Sequence, residues 1–103
     1  MTKILVLFNL KDGVDVAEYE NWARSTDLPT ARGLNSVTTF KVYRAEGVMG
    51  SDATPPYQYA EWLEVASLEA LGADAQSDAM VAVVAAFGRS ADNPQFVLVS
   101  DIE

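Results

Sequence analysis

Asp27 lies in the stretch Ser25-Thr26-Asp27-Leu28-Pro29-Thr30, where an apolar helical stripe should still face inward. A carboxylate there can accept a hydrogen bond from a ring N–H, remove a proton, or stabilise a cationic intermediate. It can equally accept the backbone N–H of Thr30 and cap the turn around Pro29, the ordinary work of aspartate beside a proline. Six aromatic side chains, Tyr19, Trp22, Phe40, Tyr43, Tyr59 and Trp62, occupy the segments that would surround a cleft between helix and sheet. They could line a flat pocket, and each could equally serve core or subunit packing. Asn9 interrupts the apolar run Ile4–Leu10, and an unpaired buried amide would cost about 1–3 kcal/mol. It therefore needs a partner, either a ligand or the backbone at the strand end.

The remaining chemistry is narrowed by absences. The chain has no cysteine, so disulfides, thiolate nucleophiles and sulfur-ligated metal centres are excluded. It has no histidine, which removes the usual general base near neutral pH and the commonest transition-metal ligand. Scattered carboxylates suggest no metal site, and no cofactor is expected. Gly47 and Gly50 precede a strand rather than a helix, so they form no phosphate-binding loop. Arg32 and Arg44 could neutralise an anion, but with 7 basic against 15 acidic residues they read as surface ion-pair partners. Glu61 and Glu64 alternate on one strand and read as edge or interface charges, with Lys41 across the sheet.

The elements that must position these groups follow from periodicity. Lys3–Leu10 is an almost continuously apolar strand, ended by the turn Lys11-Asp12-Gly13. Asp15 with Glu18 makes a capping box for a helix whose stripe holds Val16, Tyr19, Trp22, Ala23 and Thr26, with Asp27 at its edge. Pro29 should kink or tighten that helix near Thr26–Leu28, and Gly33 can end the turn. Asn35–Arg44 and Tyr57–Glu64 are strands, separated by Ala45–Pro56, a long Gly-, Ser- and Pro-rich segment that reads as a mobile flap. Ser67 opens a short helix, Ser77 or Asp78 caps another carrying Met80, Val83, Val84 and Phe87 on one face and stopping at Gly88, and "PQFVLVSDI" is the last strand.

The order β-α-β-β-α-β predicts an α+β, ferredoxin-like domain spanning residues 1–103, with two helices on one face of a four-stranded antiparallel sheet. Strand alternation puts apolar residues on the other face too, so a homodimer is expected through that face. The net charge of −8 opposes nucleic-acid and anionic-membrane binding. Apolar runs such as Ala79–Phe87 fall short of the roughly 20 residues that span a bilayer. Met1-Thr2-Lys3 shows no signal peptide, and the expectation is a cytoplasmic protein.

The element order, the length and the apolar sheet resemble the dimeric α/β-barrel superfamily. More specifically, "YENWARSTDLPTARGLNSV" is similar to the signature of the RedY-like (HapK) family, associated with prodiginine and related pyrrole or indole pigment pathways. The resemblance implies secondary metabolism and a heteroaromatic small molecule held between helix and sheet, for condensation or cyclisation without redox chemistry. Superfamily relatives often carry a tryptophan on the first helix, matched by Trp22, and then a histidine, where this chain has Asp27. That difference removes the residue on which haem ligation or base-initiated oxygenation would rest. Two other readings stay open: a cofactor-free monooxygenase in which Trp22 and Asn9 orient substrate and O₂, and a binding or carrier protein without catalysis.

Overall fold

The computed structural model describes all 103 residues. Its elements are β1 (Thr2–Leu10), α1 (Val16–Trp22), a π-helical turn (Ala23–Asp27), α2 (Leu28–Arg32), β2 (Val37–Arg44), β3 (Tyr59–Val65), α3 (Leu68–Asp74), α4 (Asp78–Ser90) and β4 (Ala91–Val99). The four strands form one antiparallel sheet in the order β2-β3-β1-β4. This is the ferredoxin-like arrangement that the element order predicts. The apolar strand β1 sits inside the sheet, paired on both edges, as its composition requires.

The helices lie on one face. Ile4, Val6 and Phe8 of β1 meet Tyr19, Ala23, Tyr59, Val65 and Ala91 in one core cluster. Phe40 of β2, Ala31 of α2, and Met80 and Val83 of α4 form a second, and Trp22 packs against both. Phe8 carries the centre: its ring stacks on Tyr59 at 5.4 Å and meets Phe87 edge-on at 4.9 Å. The opposite face, bearing Leu5, Tyr43, Trp62 and Val97, has no helix over it, and Tyr43 and Val97 are exposed there.

Local signals mostly hold. Asp15 Oδ1 accepts from the Glu18 amide at 3.1 Å, and the Ser67 and Ser77 hydroxyls accept from Ala70 and Met80. Gly13 adopts φ +85° in the turn after β1, a left-handed conformation that suits glycine. Other details differ. Helix α4 runs through Gly88 to Ser90, because one glycine inside a helix costs only about 1 kcal/mol. Strand β4 begins at Ala91, three residues before Pro94, and pairs Ala91 with Leu10 beyond a bulge opposite Leu7–Asn9. On the first helix Val16 and Thr26 are exposed rather than inward, while Tyr19, Ala23, Asp27 and Ala31 are buried at intervals of four.

The π turn explains that interval. Pro29 has no N–H, and its ring would crowd the carbonyl four residues back. The turn ahead of it opens, and the Leu28 amide bonds back to the Ala23 carbonyl, five residues away. A wider turn counters the drift that a regular helix accumulates every four residues, so Asp27 faces the sheet squarely instead of lying at the stripe's edge. No single helix is long and apolar enough to cross a membrane.

Candidate functional site

A cavity of about 210 Å³ lies between the helical layer and the sheet. Its walls are almost wholly apolar: Ile4 and Leu63 from the sheet, Phe40 from β2, Leu71 from α3, and Met80 and Phe87 from α4. Phe96 of β4 closes one side, its ring edge-on to Phe87 at 6.4 Å. Two polar residues enter this lining, Asp27 from the π turn and Glu61 from β3, and each is only 5 % exposed.

Both carboxyls pay for that position in proton affinity. Burial pushes Asp27 up to about 6. Burial, with the nearby charge of Asp27 adding to it, pushes Glu61 up to about 8. No basic side chain lines the cavity to offset them. Asp27 makes no capping hydrogen bond to the turn that follows, so the turn-cap explanation of this residue does not hold. Glu61 Oε2 is buried without a hydrogen-bond partner, and so is the Tyr19 hydroxyl. Tyr19 is held neutral by burial first and then by the charges of Glu61 and Asp27. An apolar chamber thus contains two carboxyls whose proton affinity is raised toward neutral pH, one of them, Glu61, with a buried oxygen that has no hydrogen-bond partner.

The structure divides the residues singled out in the sequence. Asp27 and Phe40 line this cavity. Tyr19 and Tyr59 instead line a neighbouring cleft of about 190 Å³ with Ala23, Leu28 and Val42. There the Tyr59 hydroxyl donates to Glu20 Oε2 at 2.8 Å, and Arg44 Nε donates to the same oxygen at 2.8 Å. These bonds, that of Arg44 first, hold Glu20 down at about 2. Trp22 lies between the two core clusters, touching Tyr19 at a ring distance of 5.8 Å. Tyr43 and Trp62 are on the opposite sheet face, in a shallow hollow with Leu5, Thr39 and Lys41. Their strand positions share the parity of Lys41 and Ala60, and alternation turns them away from the helices. Asn9 takes the strand-end option: its Oδ1 accepts the Gln58 amide at 2.9 Å, while Gln58 Oε1 accepts the Leu10 amide at 2.6 Å.

Glu61 corrects the sequence reading. It is no edge charge, because β3 is an inner strand and Glu61 shares its buried face with Tyr59, Leu63 and Val65. Glu64, of opposite parity, does lie on the open face, where Trp62 Nε1 donates to it at 3.3 Å. Arg44 forms the surface ion pair expected of it, with Glu20, whereas Arg32 Nε donates to the Phe40 carbonyl at 3.0 Å. Phe87, Phe96 and Met80 complete the cavity from segments that would have passed as plain core.

The fold has close counterparts among solved structures. HapK of Hahella chejuensis superposes with a TM-score of 0.80 at 27% identity, covering 99% of this chain and 93% of that one. A protein of Arabidopsis thaliana matches at TM-score 0.75 and 17% identity, over 100% and 97% of the two chains. A dimeric ferredoxin-like protein of unknown function from Thermobifida fusca matches at 0.77 and 13%, over 97% and 90%. A search of curated protein sequences finds no match. The family model described as REDY-like protein HapK matches residues 2–102, and with almost the whole chain inside that match this protein belongs to the REDY-like HapK family.

Proposed function

We propose that this protein binds a flat heteroaromatic intermediate of the pyrrole or indole type in the Asp27–Glu61 cavity and assists a condensation or cyclisation in secondary metabolism, without a cofactor. The observation that carries the reading is the pair of buried carboxyls in an otherwise apolar chamber. Structural packing alone would fill such a chamber with hydrocarbon, since burying an unpaired polar group costs free energy. An engineered cavity of about 150 Å³ takes up benzene, so about 210 Å³ has room for one ring system. Asp27 serves as anchor or base for a ring N–H, and Phe40, Phe87 and Phe96 supply ring-to-ring contact.

The reading includes a homodimer formed through the open sheet face, in keeping with the dimeric Thermobifida fusca protein of the same fold. Leu5, Tyr43, Trp62 and Val97 then become interface residues rather than ligand contacts, and the reading keeps a cytoplasmic location. Asp27→Asn is the test, with indole titrated into both proteins. Affinity should fall by about 1.5–3 kcal/mol, the range for a hydrogen bond to a charged group. Stability at pH 7 should not fall, because no cap is lost. Equal affinity in the two proteins would overturn the assignment of Asp27.

A further inference from the structure

Asp27 and Glu61 reach the same largely apolar chamber from two layers of the fold, and no basic side chain lines it. Two carboxylates cannot both ionise there without large cost; the stable arrangement keeps one of the two protonated. One group then accepts hydrogen bonds and the other donates. We propose that this pair reads a matched edge on the ligand, an N–H beside a carbonyl as in a cyclic amide, with Asp27 accepting from the N–H and Glu61 donating to the carbonyl oxygen.

The assignment of roles follows from surroundings. Asp27 sits where the helix has opened, and Glu61 sits on an inner strand between Val6 of β1 and Val42 of β2, with no polar neighbour in register. The more deeply held proton belongs to Glu61, whose Oε2 has no partner inside the protein. The helices that share its cavity also present apolar groups: Leu71 from α3, and Met80, Val83 and Phe87 from α4. From the helical layer the charge of Asp27 acts on Glu61, and the charge of Glu61 in turn helps to keep Tyr19 neutral. Around pH 7, between about 6 for Asp27 and about 8 for Glu61, the pair is in its acceptor-plus-donor state. A site offering fixed, buried donor and acceptor discriminates strongly against a ligand that lacks one of them, because the unmatched group stays unpaired.

This inference rests on the cavity being a ring-binding site, and the experiment separates the two. 2-Quinolinone, its N-methyl derivative, quinoline and indole are titrated by calorimetry from pH 5 to 9.5. The expected result is 2-quinolinone binding about tenfold or more tighter than the other three at pH 7, weakening below about pH 6 and above about pH 8. Glu61→Gln, which keeps a donor that cannot ionise, should retain the preference and lose the alkaline limb. Asp27→Asn should lose the acid limb. Similar affinities for all four compounds, or a flat pH profile, would overturn the edge-reading pair and leave the ring-binding site standing. Failure of all four to bind at millimolar concentration would overturn both.

Discussion

Asp27 of the π turn and Glu61 of β3 line one apolar cavity from different layers, and the charge on Asp27 adds to burial in raising the proton affinity of Glu61. The relationship links the site to the stability of the fold, since each carboxyl binds its proton more tightly in the folded chain than in the unfolded one.

The sign of the pH dependence follows. Below the unfolded value of 4.5, Glu61 is protonated in both states and adds no pH-dependent cost. Between 4.5 and about 8 the unfolded chain ionises it while the folded chain does not, so stability falls through that window and levels off above it. Asp27 acts in the same direction between 3.8 and about 6. Wild type should lose about 3–5 kcal/mol between pH 5 and 9, and Glu61→Gln should recover about 2–4 kcal/mol of it at pH 9. Denaturant unfolding at pH 5, 7 and 9 reads both; a pH-independent stability would contradict the buried, unpaired placement of Glu61.

Tyr59→Phe isolates the hydroxyl that donates to Glu20 at 2.8 Å, because the ring stacked on Phe8 remains. The loss should be about 1–2 kcal/mol at pH 7, below the full value for a buried charged bond because the cleft is open to water. Glu20, depressed to about 2 partly by this bond, should titrate higher in the variant by NMR. Its contribution is present above 4.5 and disappears as pH falls toward 2.

Trp62→Glu places a charge on the open sheet face and leaves the cavity side of β3 untouched. A dimer through that face would exceed about 800 Å² per partner, so wild type should sediment as a dimer at micromolar concentration. The variant should dissociate, with a loss of stability that depends on protein concentration in wild type only. A folded wild-type monomer would remove the interface assignment.

The segment 45–56 is exposed almost throughout and carries only one isolated bridge, Val48 to Ser51. Its amides should exchange orders of magnitude faster than those of β1, which is bonded on both edges. Comparable protection in the two segments would rule out a mobile flap.

The fold was legible in the sequence because its signals are local. Strand alternation, the Asp15, Ser67 and Ser77 caps and the turn at Gly13 each depend on a few neighbouring residues, and their order alone selects the ferredoxin-like arrangement. Asp27 could be singled out for the same reason, beside a proline in an apolar stripe. Its full burial was not legible, since a fixed 100° step cannot anticipate that Pro29 opens the helix into a π turn.

Glu61 shows the limit most clearly. In "YAEWLEV" both parities carry apolar residues, so alternation cannot say whether Glu61 or Glu64 faces the helices. Only the pairing of β3 with β1, Val6 opposite Glu61, and the packing of α3 and α4 over that face decide it. Tyr43 and Trp62 were sent to the far face by the same geometry. Which elements form, and which residue types are on hand for chemistry, can be read along the chain because propensity, capping and periodicity act over a few residues. Which two carboxyls share a chamber cannot be read that way, because their meeting depends on strand register and layer packing between segments 34 residues apart, as the positions 27 and 61 stand.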